Sequence, residues 1–259
     1  MTDAPIAHYP DLAGKVALVT GGSRGIGAAT VKALATNEVS VAVNGRDEEA
    51  IDGVVRAVTE AGGSAIGVPA DVCDWGDTEA MRERVERELG PVDVLVPFAG
   101  GFGGMTPVHE ISEEEWHSVI ESNLTSTFLT VKSFLPGMIE RRSGAIVTMA
   151  SNAARFLDIK LTASYAAAKA GIAMFTRHVA LEVGEHNIRV NCVAPATTLS
   201  ERVERIMPDE RRADIAAMSP LGRLGTPEDS AMATLFLASE SAGWLTGVTI
   251  DVAGGRIML

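Results

Sequence analysis

This chain has few aromatic residues, few cysteines and a shortage of positive charge. Of its 259 residues, 5% are Phe, Trp or Tyr, and only Tyr9 and Tyr165 are tyrosines. Its two cysteines, Cys73 and Cys192, fall in no Cys-x-x-Cys or Cys/His spacing. No metal site is therefore expected, and reduced, buried thiols in a cytoplasmic setting are. His109, His117, His178 and His186 also lack any metal-ligand spacing and read as structural or surface residues. Lys plus Arg total 22 against 34 Asp plus Glu, a net charge of −12, with no basic block. That balance argues against nucleic acid or an anionic membrane as partner. No apolar run approaches the roughly 18 residues of a membrane helix, and no basic-then-apolar segment opens the chain as a secretory signal would. The rest is ordinary for a globular protein, with 46% apolar and 22% charged residues. The length suits a single core.

Short apolar runs alternate with longer helical patterns. Strands are expected at 15–20, 39–43, 65–69, 92–96, 145–149, 188–193 and 248–252. Between them, helices are expected from the first glycine turn to about 36, over 47–61 and 74–89, from 112 to about 141, from about 162, and after Pro227. Ser112 and Glu115 fit a capping box, Gly90-Pro91 a helix stop, and Pro227 a first helical turn. Strict alternation implies an α/β fold of Rossmann type, a doubly wound parallel sheet with helices on both faces. No linker or repeat divides the chain, so 1–259 reads as one catalytic domain. The stretch 197–223 has no clear strand and mixes acids with Arg202, Arg205, Arg211, Arg212 and Arg223. It reads as a solvated helical insert or, the reading preferred here, as a lid over a pocket.

The first strand runs into Thr20-Gly21-Gly22-Ser23-Arg24-Gly25-Ile26-Gly27. Such a turn brings backbone close to a pyrophosphate and points the free N–H groups of a helix start at it. Glycine suits positions where a Cβ would collide or φ is positive. The spacing is Gly-x-x-x-Gly-x-Gly rather than the commoner Gly-x-Gly-x-x-Gly. At the tip of the second strand an acid would bind the ribose hydroxyl of NAD, and a spacing of about 20 residues points to Asp47. The valine alternation instead puts the tip at Asn44, with Asp47 placed to cap the next helix. Arg24 and Arg46 flank this tip and suit a 2′-phosphate, so NADP(H) is favoured over NAD(H).

Ser164-Tyr165-Ala-Ala-Ala-Lys169 puts a phenol and an ammonium four apart, on one helix face. A phenol near pKa 10 is a poor proton carrier at neutral pH. A cation one turn away would favour phenolate and bring it into range.

The glycine turn and Tyr-x-x-x-Lys lie in this order about 140 residues apart, and together they resemble the short-chain dehydrogenase/reductase family over most of the chain. Many chains of this pattern are 3-oxoacyl-carrier-protein reductases. The resemblance implies a sheet of about seven strands, a homotetramer or homodimer, and catalytic roles for Asn123, Tyr165 and Lys169. Asn123 would help to hold a proton-relay water, and Lys169 would also bind the nicotinamide ribose. Implied cofactor contacts run through Gly21, Ser23, Arg24, Gly25, Ile26 and Gly27, then Asn44 and Arg46, Asp71 and Val72 at the adenine, Ala99 and Gly100, and Pro195 and Thr198 beside Tyr165 and Lys169. Three positions depart from the family pattern: Phe98 before Ala99-Gly100, Ala196 after Pro195, and Ala253 before Gly254-Gly255. The family serine lies about thirteen residues before the tyrosine, which is Asn152, whereas Ser151 lies fourteen before. Ser151 is preferred, with its neighbour pointing the other way, as along a strand.

Three functions are compatible with these residues. The first is an NADPH-dependent carbonyl reductase acting on a ketone, a 3-oxoacyl thioester on acyl-carrier protein being one candidate. The second is a dehydrogenase of a secondary alcohol, sugar or polyol. The third is a non-catalytic nucleotide-binding protein, because fold alone does not establish chemistry. Arg202, Arg205, Arg211 and Arg212 would form a patch for an acidic carrier protein, unless they pair with neighbouring acids. Phe102, Met105, Phe156, Leu157, Leu161 and Met218 flank the expected pocket and suggest an apolar or aromatic substrate, although such residues also serve as core or subunit contacts.

Overall fold

The computed structural model describes residues 6–156 and 161–258. Seven parallel strands form one sheet in the order β3-β2-β1-β4-β5-β6-β7. They are β1 (Val16–Thr20), β2 (Ser40–Gly45), β3 (Ser64–Pro69), β4 (Val94–Pro97), β5 (Gly144–Met149), β6 (Ile188–Pro195) and β7 (Thr249–Val252). The helices are α1 (Gly25–Thr36), α2 (Glu48–Glu60), α3 (Trp75–Glu88), α4 (Glu113–Ile120), α5 (Ser126–Arg141), α6 (Ala163–Val183), α7 (Glu201–Ile206), α8 (Asp209–Ala217) and α9 (Pro227–Ala238). The expected Rossmann-type architecture is therefore present.

Strand alternation divides the core into two layers. Ala17, Val19, Val41, Val43, Val94 and Val96 pack with Val31 and Leu34 of α1 and with Leu235 of α9. Leu18, Ala42, Leu95 and Ile146 face the opposite way, against Val85, Phe134, Met138 and Val179. The strands carry almost unbroken apolar sequence because both faces are covered. Strand order reverses between β1 and β4, and that reversal opens a crevice at their carboxyl ends.

Two local expectations need correction. The helix expected over 112–141 is broken by a π-helical turn, Glu121–Thr125, between α4 and α5. There the Asn123 amide donates to Val119 O (2.9 Å) and to Gly101 O (3.1 Å), so a side chain ties the helix to the loop after β4. Such turns are commonly found at functional sites. The Ser112 cap forms, accepting from the Glu115 N–H at 3.0 Å. The reciprocal half of the box is missing, because one Glu115 carboxylate oxygen is buried without a partner. A complete box instead starts α9, between Thr226 and Asp229.

Candidate active site

The glycine turn is held by close packing. Gly21 has φ +63°, and a Cβ there would lie 2.9 Å from Phe98 O. A Cβ on Gly27 would lie 2.1 Å from Gly21 O. No side chain fits that gap, so α1 starts directly over the turn with its first N–H groups facing the crevice. Ile26 is half-buried in that first turn. Thr20 and Ala99 join the neighbouring strand ends, the Ala99 N–H donating to Thr20 Oγ1 at 3.1 Å. The turn and α1 thus supply the backbone cradle and helix N-terminus that a dinucleotide pyrophosphate needs, so the residues present fit such a cofactor.

At the β2 end the side chains differ from expectation. Asn44 is buried and donates to Val68 O (3.0 Å) and Ala70 O (3.2 Å). Its amide ties β2 to β3 and faces away from the ribose position. Its carbonyl accepts from the Gly22 N–H at 2.8 Å. Asp47 caps α2, accepting from the Ala50 N–H at 3.0 Å, and also pairs with Arg24. The Asp47 carboxyl is held below its usual range, chiefly by the Ala50 N–H and then by Arg24. Arg46 is exposed and forms no ion pair among the described residues. Ser23 lies beside Gly45, where a Cβ would come within 2.9 Å of its Oγ. At the adenine end Val72 is buried, and the Asp71 carboxylate accepts from the Cys73 N–H at 3.0 Å.

The chemistry gathers at the ends of β4, β5 and β6. Thr162 caps α6, accepting from the Tyr165 N–H at 3.3 Å, so Tyr165 occupies its first turn. Lys169 is buried one turn on and donates from Nζ to Met149 O at 3.0 Å. Its Nζ lies 5.7 Å from the Tyr165 ring centroid. Burial lowers the Lys169 pKa to about 8. The Tyr165 ring is partly exposed, but its hydroxyl is enclosed by protein, and that burial raises its pKa. A hydrogen bond from Ser151 and the charge of Arg202 pull the other way. The ammonium expected beside Tyr165 is thus one helix turn on, with its Nζ bonded to Met149 O and 5.7 Å from the ring centroid.

Ser151, rather than Asn152, reaches the tyrosine hydroxyl. The two side chains do not point apart, because β5 has already ended and a tight turn begins there. Ser151 Oγ donates to Asn152 Oδ1 at 3.2 Å and accepts from the Ala153 N–H at 3.2 Å. Asn152 therefore acts on Ser151 and has no direct contact with the phenol.

Asn123 is fully buried. Its Oδ1 accepts from the Gly101 N–H at 3.2 Å, and its amide donates to Gly101 O and Val119 O. The side chain thus clamps the loop after β4. Gly100 has φ +138°, and a Cβ there would lie 2.5 Å from Asn123 Oδ1. The three departures are accommodated. Phe98 is buried in the core, Ala196 has no positive φ, and Ala253 is buried. Pro195 closes β6, and Thr198 Oγ1 donates to Ala196 O at 3.1 Å.

The segment 197–223 folds into α7 and α8, and Ser200 passes over the glycine turn, its Cβ 3.8 Å from the Cβ position of Gly25. Its arginines do not form one patch. Arg212 pairs with Asp209, and Arg223 pairs with Asp229 through two bonds of 2.6 and 2.8 Å. Arg202 is exposed and donates to Phe102 O at 3.3 Å. Phe102 packs edge-on against Tyr165, with centroids 5.7 Å apart. Met105, Phe156 and Met218 are exposed, and Leu157 lies outside the described residues. The sequence placed Arg202 in a lid patch and Phe102 beside the expected pocket, but gave no sign that the two bond each other. Among the described residues, no helix is long and apolar enough to cross a membrane, and no cluster of His, Cys, Asp and Glu suits a metal ion.

A glycine-cradled crevice at the strand reversal, with a phenol, a hydroxyl and an ammonium around its mouth, defines the class of dinucleotide-dependent oxidoreductases. Comparison with known proteins narrows the class. The family profile described as enoyl-(acyl carrier protein) reductase matches residues 21–256. A 3-oxoacyl-[acyl-carrier-protein] reductase, FabG, of Chlamydia pneumoniae is 39% identical over 244 residues, 94% of this chain and 97% of its own. A cis-4-hydroxycyclohexanecarboxylate dehydrogenase of Sinomonas cyclohexanicum is 40% identical over 241 residues, 93% of this chain and 96% of its own. The crystal structure of a 3-oxoacyl-[acyl-carrier protein] reductase with bound NAD from Brucella melitensis superposes with a TM-score of 0.90 at 32% identity, covering 97% of this chain and 94% of that one. The chain belongs to the short-chain dehydrogenase/reductase family and is an oxidoreductase acting on CH–OH or C=O groups.

Proposed function

We propose that the protein is an NADPH-dependent carbonyl reductase that converts a ketone to a secondary alcohol, with Tyr165 as proton donor. The observation that carries this reading is the placement of Tyr165 in the first turn of α6, with Lys169 one turn on and Ser151 just past β5, where burial raises the pKa of the phenol. A phenol held neutral at neutral pH has a proton to give, which suits reduction. The reverse reaction needs phenolate and would gain as pH rises. The alternative, oxidation of a secondary alcohol, sugar or polyol, uses the same residues.

The bound nicotinamide supplies the hydride. The glycine turn and the start of α1 hold the pyrophosphate, Asp71 and Val72 the adenine, and Ala99, Gly100, Pro195 and Thr198 the remaining backbone edge. Ser151 donates a hydrogen bond to the substrate oxygen as charge develops there, and Tyr165 Oη passes its proton to the same oxygen. Lys169, anchored on Met149 O, presents its remaining N–H groups toward the ribose. Asn123 keeps Gly100 and Gly101 in place. The unpaired Arg46 supports the preference for a 2′-phosphate; Arg24 contributes only on release from Asp47. A cytoplasmic homotetramer or homodimer completes the reading. A 3-oxoacyl thioester is one candidate substrate, with Arg202, Arg205 and Arg211 as the lid arginines outside ion pairs among the described residues.

The test follows NADPH and NADH oxidation with a panel of ketones and acetoacetyl thioesters. Tyr165→Phe should lower kcat by about 10²–10⁴, the range of a positioned proton donor. A variant that keeps wild-type kcat would overturn the role of Tyr165. Activity confined to alcohol oxidation with NAD would promote the dehydrogenase reading.

A further inference from the structure

We infer that Arg202 is a specificity-determining residue that holds a carboxylate carried by the substrate, so that the preferred ketones are keto acids. The inference rests on the carbonyl-reductase reading of the same site.

Arg202 belongs to α7 in the segment over the crevice, yet its guanidinium turns toward the reacting groups. Nη2 donates to Phe102 O at 3.3 Å. Nη1 lies 3.5 Å from the position a Cβ on Gly101 would take. The guanidinium is thus laid along residues 101–102, and Phe102 in turn packs edge-on against Tyr165. Its charge reaches the Tyr165 hydroxyl.

Arg205 and Arg211 of the same segment, like Arg202, form no ion pair among the described residues, so what sets Arg202 apart is its bond to Phe102 O. Arg212 and Arg223 of the same segment pair with Asp209 and Asp229, and Arg155 with Asp251 at 2.6 Å. Arg202 meets no carboxylate within 4.0 Å among the described residues, in a chain with 34 acids to 22 bases. A guanidinium has five donors in a planar fork. Arg202 is exposed, so water serves the rest of that fork, and its hydrogen bond to a carbonyl leaves the charge without a partner carboxylate. Bidentate carboxylate recognition is what the fork suits best. A carboxylate seated there would lie beside Phe102, whose ring packs edge-on against Tyr165, and would hold a ketone of the same molecule near the proton donor. The phosphate of the cofactor is the other anion that could claim this charge, so the test separates the two.

The experiment pairs each keto acid from 3-oxobutanoate to 6-oxoheptanoate with its methyl ester. Kd is measured by titration calorimetry and kcat/KM by NADPH oxidation, for the wild type, Arg202→Gln and Arg202→Lys. At least one acid should be preferred over its ester by the wild type. In Arg202→Gln the acid-to-ester ratio should fall by about tenfold to a hundredfold, the range of a charge-assisted hydrogen bond, with Arg202→Lys in between. Equal loss for acid and ester would reduce Arg202 to a support of Phe102 and overturn the inference. So would a wild type that prefers no acid, or a variant whose defect lies in cofactor Kd alone. Binding decides the inference whether or not turnover is seen. Absence of turnover with every ester and acid would instead count against the reductase reading.

Discussion

Lys169→Met should make the protein more stable and less active, and the effect should depend on pH in a defined way. Lys169 is 3% exposed, with its Nζ bonded only to Met149 O among the described residues. Burial lowers its pKa from 10.5 to about 8, a difference equivalent to about 3 kcal/mol against keeping the charge in the folded state. Met fills a similar volume without charge. Loss of the bond to Met149 O, worth about 1 kcal/mol, leaves a net gain of about 2 kcal/mol. For a chain of this size that is a rise in Tm of about 4–8 °C. The sign runs as follows. Between pH 8 and 10.5 the unfolded chain holds a proton that the folded chain has lost, so wild-type stability rises with pH in that window. Below pH 8 the penalty is complete. The advantage of the variant should therefore be full at pH 7 and shrink as pH rises toward 10.5. Calorimetry or urea titration at pH 7 and pH 9.5, beside kcat at pH 7, measures all of this. A variant no more stable than wild type at pH 7, or an advantage that does not change with pH, would refute the argument from burial.

Two further substitutions test the cradle and the cofactor reading. Gly27→Ala should abolish cofactor binding, measured by fluorescence titration, because its Cβ would lie 2.1 Å from a backbone oxygen; the overpacking adds about 1–3 kcal/mol of destabilisation. Gly53→Ala is the control, since nothing lies within 4 Å of its Cβ position in the interior of α2, and it should stabilise by about 0.5–1 kcal/mol with binding intact. Arg46→Gln should reduce the preference for NADPH over NADH by about tenfold, the loss of one charge-assisted hydrogen bond. The same change at Arg24, already paired with Asp47, should have the smaller effect, and equal effects would refute the assignment of the 2′-phosphate to Arg46.

The sheet was legible because burial on both faces leaves a plain trace. Runs such as Val-Ala-Leu-Val-Thr at β1 have no competing helical period, and each is bounded by glycine, proline or charge. Strand ends moved by at most two residues, as at β4, where Val92 precedes the ladder and Pro97 closes it. The π-helical turn after α4 left no trace in the hydrophobic period. It is imposed by a tertiary contact, the Asn123 clamp on Gly101, which local sequence does not encode.

The site was legible where backbone geometry restricts the residue type, and obscure where only the direction of a side chain matters. Gly21, Gly27 and Gly100 are required by contacts a Cβ would violate, so their spacing carries information by itself. The direction of a polar side chain depends on packing, and that is where expectation and structure part. Asn44 sits where the strand tip was placed, and its amide turns inward to the carbonyls of Val68 and Ala70. Ser151 and Asn152 were expected to diverge as strand residues, but a turn begins between them and lets them bond each other. The electrostatics changed most. Spacing made Lys169 the cation acting on Tyr165, because four residues on a helix bring side chains to one face. Burial adds a second demand, for an ammonium so enclosed must satisfy its donors, and Met149 O takes it. Arg202, 37 residues away in sequence, also pulls the Tyr165 pKa down, against the larger effect of burial. Helix periodicity can pair residues a turn apart, but it has no means of bringing a residue of α7 to the loop after β4, where Arg202 bonds Phe102 O.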